Sequence, residues 1–207
     1  MPALNKEQII QYLLQRDRKL LAVINSVAYP VSRRNKDVYS ALLHSIVAQQ
    51  LSVKAAATIH SRLLGLFPDN EARPDLLMRM PVAKLRGAGL SKQKAGYIKA
   101  IAKTARSDGL VYDILSKKSD IELIDYLTQI HGVGRWTVEM LLMFTFNRKD
   151  VFSVGDVGIQ NAMRRLYRLE EEGKEFKQKL LLIAQRWQPY RTIVCRYLWK
   201  WKANHKK

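Results

Sequence analysis

Apolar positions recur every three to four residues along nearly the whole chain, as in Ile9, Leu13, Leu14, Leu20 and Leu21, and again in Tyr39, Leu42, Leu43, Ile46 and Val47. Strand-like alternation is scarce, so the pattern predicts an all-α fold. Helix punctuation agrees. Ser52 precedes Val53–Leu66, Pro81 stands where a first helical turn opens, and Ser91 precedes Lys92–Ala105. Ser119 and Glu122 have capping-box spacing for a helix reaching about Leu127. Trp136–Phe146, Asp156–Tyr167, Phe176–Trp187 and Pro189–Trp201 bring the expectation to about ten helices. Breakers such as Gly87–Gly89, Gly132–Gly134 and Glu170–Gly173 are too short to be flexible linkers.

The first residues, Met1 to Val23, set Lys6, Glu7, Arg16, Asp17, Arg18 and Lys19 among the apolar positions, which is an amphipathic helix and not the core of a signal peptide. No apolar run is long enough to span a bilayer. A single cysteine, Cys195, excludes an internal disulfide framework and any centre needing several thiolates from one chain. These features lead us to expect a soluble, cytoplasmic protein with no membrane partner.

Charge narrows the function. In 207 residues, 36 Lys and Arg stand against 18 Asp and Glu, a net +18. Such an excess repels itself unless a polyanion offsets it, which favours nucleic acid first and an anionic membrane second. After Glu175 the remaining 32 residues carry nine bases and no acid, interleaved with Trp187, Tyr190, Tyr197, Trp199 and Trp201. That segment reads either as a solvated helix face or as a surface whose rings stack or pack.

Two segments carry candidate chemistry. In Leu127-Thr128-Gln129-Ile130-His131-Gly132-Val133-Gly134-Arg135-Trp136-Thr137, a helix end meets a glycine-bracketed turn and a new helix start. The glycines allow close backbone approach, and the amides of the new helix favour an anion such as a DNA phosphate. Glycine pairs are also ordinary in helix turns. The second segment is Val151-Phe152-Ser153-Val154-Gly155-Asp156-Val157-Gly158-Ile159, where Asp156 stands alone among apolar and glycine residues at a helix start. It is an N-cap, a carboxylate facing developing positive charge, or both.

Ile130–Trp136 followed by Asp156 resembles the helix-hairpin-helix and downstream aspartate of the base-excision DNA glycosylase superfamily, with the closest similarity to its 3-methyladenine DNA glycosylase II branch. Ser45–Ser52, Gly89–Ile98 and Trp187–Arg191 leading to Trp199 agree in the same order, so the resemblance covers about residues 40 to 201. It implies a compact two-domain helical fold without the extra N-terminal β domain of some bacterial members. Residues 38–148 would form a central domain with the hairpin at about 122–146; residues 1–37 and 149–207 would form the second, with an active-site cleft between.

The resemblance also implies roles. His131, Gly132, Val133, Gly134, Arg135 and Thr137 would grip backbone phosphate, and the carbonyls of Thr128, Ile130 and Val133 would hold a structural Na+ or K+, no cofactor being required for catalysis. Gln50, with Leu51 and Ser52, would wedge into the base stack; a helix C-cap is Gln50's local alternative. Trp136 occupies the position where strand-cleaving relatives carry a nucleophilic lysine, implying a monofunctional enzyme. Trp136, Trp199 and Met140 would bound the base pocket, although without the resemblance the plainer reading of either tryptophan is a core residue. Asp156 would be the catalytic carboxylate; Glu139, one turn beyond Arg135, is the lesser acid candidate and is expected to pair with a local base instead, and His131 to be a turn residue or phosphate contact rather than a proton donor. Met140 and Val157 replace aromatics of the best-known bacterial members. The partner implied is double-stranded DNA with damaged bases, bound by a monomer. The alternatives are a non-catalytic hairpin DNA-binding module and a glycosylase for another lesion class.

Overall fold

The computed structural model describes residues 4–31 and 35–204, and within them every regular element is helical. There are thirteen α-helices: α1 Lys6–Arg16, α2 Leu20–Ile24, α3 Val38–Ala48, α4 Val53–Leu64, α5 Pro74–Arg79, α6 Val82–Gly87, α7 Lys92–Asp108, α8 Tyr112–Leu115, α9 Asp120–Leu127, α10 Arg135–Phe144, α11 Val157–Tyr167, α12 Gly173–Gln185 and α13 Arg191–Asn204. The all-α expectation holds, but the number exceeds ten. The N-terminal helix breaks in two at Asp17, which turns extended, and the short α5 and α8 lack the length for a visible period. Lys206 and Lys207 of the basic C-terminal run lie outside the described residues.

The chain divides into two compact units, Arg34–Phe146 and the two ends Met1–Arg33 with Asn147–Lys207. In the first, α7 is the axis against which α3, α5 and α6 pack, while α4 and α10 pack on α3 and α9 packs on α10. Ala95, Ile98, Ile101 and Ala102 form the buried stripe of α7, matched by Leu42, Leu43, Ile46 and Val47 on α3. The small Ala95 and Ala102 let the helices approach closely.

In the second unit α11 packs on α13, and α13 on α2. The segment entering α11 is laced to α13: Thr192 Oγ1 donates to Arg148 O at 2.7 Å and accepts from Val151 N at 3.0 Å. Arg191 grips both Asp150 carboxylate oxygens, at 2.7 and 2.9 Å. The aromatic run at the chain end is mainly core, with Trp187, Tyr197 and Trp201 buried. Packing, not stacking on a ligand, explains those three.

Asp17 joins the N-terminal helices to this core. Its Oδ2 accepts from Tyr167 OH at 2.6 Å and from Trp187 Nε1 at 3.0 Å, all three residues being buried. Burial, and then the bond to Asp17, push the Tyr167 phenol well above its ordinary range, so it remains a donor. Asp17→Ala strands both donors, and we expect an unfolding free energy lower by about 2–5 kcal/mol in urea titrations. Asp17→Asn, which keeps an acceptor, should lose clearly less. Equal losses would mean that the network does not hold the N-terminal helices.

Candidate active site

Asp156 is the N-cap of α11, and its Oδ1 accepts from Ile159 N at 2.8 Å. The same oxygen accepts from Trp199 Nε1, also at 2.8 Å, so α13 reaches across its own unit to the cap of α11. The carboxylate is therefore both the cap and a fixed anionic group at the positive end of a helix, 8% exposed. Gly158 makes the approach sterically feasible. A Cβ there would lie 2.8 Å from Asp156 Oδ1 and 3.0 Å from Trp199 Cδ1. Neither Gly158 nor the indole donor was singled out for this role from the sequence; the signal available was a glycine two residues beyond the lone acid. Val157, beside Asp156, is 64% exposed.

In the other unit, the turn between α9 and α10 is the predicted hairpin. Gly132 has φ +91°, and a Cβ on it would fall 2.1 Å from Tyr97 Cγ, so glycine is required twice over. Tyr97 also meets the His131 ring edge-on at 4.9 Å between centroids. Gly134 differs: a Cβ there would meet nothing within 4 Å, and it starts α10 with no side-chain cap bond. The first turn of α10 thus presents backbone amides beside open space, the geometry that seats an anion. His131 and Arg135 are exposed there, Val133 and Thr137 buried. Arg135 Nε bonds Glu139 Oε1 at 3.0 Å, the local pairing expected for Glu139. Trp136 and Met140, one turn apart on α10, are half-buried.

Of the carbonyls implied for a cation, that of Ile130 already accepts Val133 N–H at 2.9 Å. The donors are neutral, hard oxygens, and among the described residues no group of three or more His, Cys, Asp or Glu could hold a metal. That set suits a monovalent ion better than a divalent one.

The turn from α3 to α4 lies in the same unit as the hairpin. Gln50 is exposed and sits at φ +58°, a conformation uncommon for a residue with a Cβ and one that concentrates at functional sites. The C-cap of α3 is Gln49, not Gln50. Leu51 is 40% exposed and Val53 90%, which gives the turn an apolar tip, and Ser52 Oγ caps α4 by accepting from Ala55 N. Asp156 and Trp199 are thus brought together in one unit, and the Gln50 turn, the hairpin, Trp136 and Met140 belong to the other.

The HhH-GPD superfamily base excision DNA repair protein model matches residues 43–187, which includes the Gln50 turn, the hairpin and Asp156. The chain is 34% identical over 186 residues to DNA-3-methyladenine glycosylase 1 of Schizosaccharomyces pombe, covering 88% of this chain and 80% of that protein. Among solved structures, the S. pombe 3-methyladenine DNA glycosylase in complex with abasic DNA superposes with a TM-score of 0.82 at 32% identity, covering 93% of this chain and 95% of that one. The DNA-3-methyladenine glycosidase of Bacillus halodurans gives 0.75 at 35% identity, covering 95% and 91%. A strained turn beside a glycine hairpin in one unit, a capped aspartate in the other and the match across both leave one conclusion: the chain belongs to the HhH-GPD superfamily of base excision DNA repair proteins.

Proposed function

We propose that this protein is a monofunctional DNA glycosylase that everts alkylated purines of the 3-methyladenine and 7-methylguanine type and hydrolyses the N-glycosidic bond, leaving an abasic site. The observation that carries this reading is the buried Asp156 carboxylate, held on one oxygen by Ile159 N–H and the Trp199 indole. Alkylation makes the base cationic and a good leaving group, so little acid catalysis is needed. As the C1′–N bond breaks, its electron pair neutralises the base and positive charge grows on the deoxyribose. A fixed carboxylate stabilises that charge and orients the water that adds to C1′, whose proton then passes to solvent.

The amides of α10 and the glycine turn would hold backbone phosphate, and Gln50 would fill the gap left by the everted nucleotide. A Na+ or K+ bound by the turn carbonyls would brace the hairpin without entering the reaction. Trp136, Met140 and Trp199 are each proposed as surfaces for a cationic purine, an aromatic face contributing about 0.5–2 kcal/mol. Trp136, unlike a lysine, cannot attack the sugar as an amine. The names of the relatives, DNA-3-methyladenine glycosylases, support the same substrate class.

The test is a duplex oligonucleotide carrying one 7-methylguanine. Free base should be released, and strand breaks should appear only after alkali. Breaks without alkali would refute the monofunctional assignment, and tight binding without release would favour a non-catalytic DNA-binding module.

A further inference from the structure

The end of α3 is held by a residue from another helix. A helix leaves its last carbonyls without intrahelical donors, and a cation near them is favourable. Here Lys94 Nζ donates to Val47 O at 2.8 Å and to Gln49 O at 2.7 Å. Lys94 is itself anchored, since its backbone N–H donates to the Ser91 Oγ cap of α7 at 3.1 Å. The ammonium is partly withdrawn from water, and that burial draws its pKa below the usual lysine value. Gln50, the next residue after the clamped Gln49 carbonyl, is the one at φ +58°.

The same turn of α7 also supports the hairpin. Tyr97, three residues beyond Lys94, packs under Gly132 and against His131. Gln49 Nε2 completes the link with long bonds to Gly132 O at 3.4 Å and to Thr137 Oγ1 at 3.5 Å. One helical turn therefore holds the exposed Gln50 tip with its lysine and the glycine hairpin with its tyrosine.

From this we infer that Lys94 is a positioning residue for nucleotide eversion: its ammonium, clamping the Val47 and Gln49 carbonyls, fixes the projection of Gln50 relative to the phosphate-gripping hairpin. The inference rests on the wedge and hairpin roles proposed above. Lys94 touches neither substrate nor reacting atoms; it acts through the geometry of the Gln50 turn. Losing the clamp frees the strained backbone to relax, and the hairpin then holds DNA without a wedge in register.

Lys94→Met keeps the aliphatic stem and removes the ammonium, and Lys94→Arg restores a cation. In the full-length chain, single-turnover release of 7-methylguanine would be followed from a paired duplex and from single-stranded DNA, where little unstacking is required. Eversion would be read by the fluorescence of 2-aminopurine placed beside the lesion, and affinity by anisotropy on undamaged duplex. Lys94→Met should lower duplex excision and the eversion signal together by roughly 10–100-fold, the loss expected for a charge-assisted hydrogen-bond pair. Single-strand excision and undamaged-duplex affinity should stay within about 2-fold, and Lys94→Arg should recover part of the loss.

Unchanged eversion in Lys94→Met, or equal losses on duplex and single strand, would overturn the inference. Gln50→Ala separates it from the reading beneath: no eversion defect in Gln50→Ala refutes the wedge, whereas a defect there without one in Lys94→Met refutes only the clamp. Should Lys94→Met lack a cooperative melt, Lys94→Gln, which can still donate to one carbonyl, is compared in its place under the same criteria.

Discussion

Asp156→Asn should leave the protein folded and able to bind duplex DNA, yet lower base release by about 10²–10³-fold, the usual cost of removing one preorganised electrostatic group. Asparagine is nearly as good an N-cap as aspartate, so the bond to Ile159 N–H survives and thermal stability should move little. What is lost is the negative charge. The Trp199 N–H bond to the same oxygen adds a second comparison. Trp199→Phe keeps an aromatic face but removes the indole N–H that bonds Asp156 Oδ1. It should reduce the single-turnover rate more than substrate affinity, whereas Trp199→Ala, which also removes the ring, should reduce both. Measured rates for Asp156→Asn within a few-fold of wild type would sink the electrostatic role and return Asp156 to a purely capping function.

Gly132→Ala is the substitution expected to do most damage to DNA binding. Alanine at φ +91° is strained by itself, by roughly 1–3 kcal/mol, and its Cβ would overlap the Tyr97 ring, 2.1 Å from Cγ. Either the hairpin or the ring must move by more than an ångström, and the amides of α10 move with the hairpin. Duplex affinity should drop by at least about 10-fold, the equivalent of one misplaced charge-assisted phosphate contact, and the thermal melt should shift down. Tyr97→Ala combined with Gly132→Ala removes the overlap but not the backbone strain, so the pair should be non-additive and recover part of the stability. Gly134→Ala is the counterpart. Its Cβ meets no protein atom, so stability should hold while DNA binding weakens. If Gly134→Ala binds duplex normally, the open space beside it is not where a phosphate sits.

Much of the fold was legible because it is local. Period, caps and breakers located the long helices to within a few residues, since hydrogen bonding and side-chain capping in a helix involve neighbours three or four positions apart. The Ser119–Glu122 box and the Ser52 and Ser91 caps form as the spacing indicated. Short helices without a start signal were not legible as separate elements. Helices α2, α5 and α8 contain too few residues to show a period, and packing stabilises them where propensity alone would not. Asp17, read as one charge among several on an amphipathic helix, is instead the buried acceptor for Tyr167 and Trp187.

By itself the sequence determined the helical class, the excess of positive charge, the glycine turn and the lone aspartate at a helix start, because each is a property of composition or of residues close along the chain. Only the tertiary structure decided which groups act together. It placed the Trp199 indole on Asp156, 43 positions earlier, Tyr97 under Gly132, and Lys94 on the carbonyls that end α3. Those contacts join helices remote in sequence, and no spacing rule reaches them. Their directionality comes from side chains held by the packing of a whole unit, which exists only once the chain has folded.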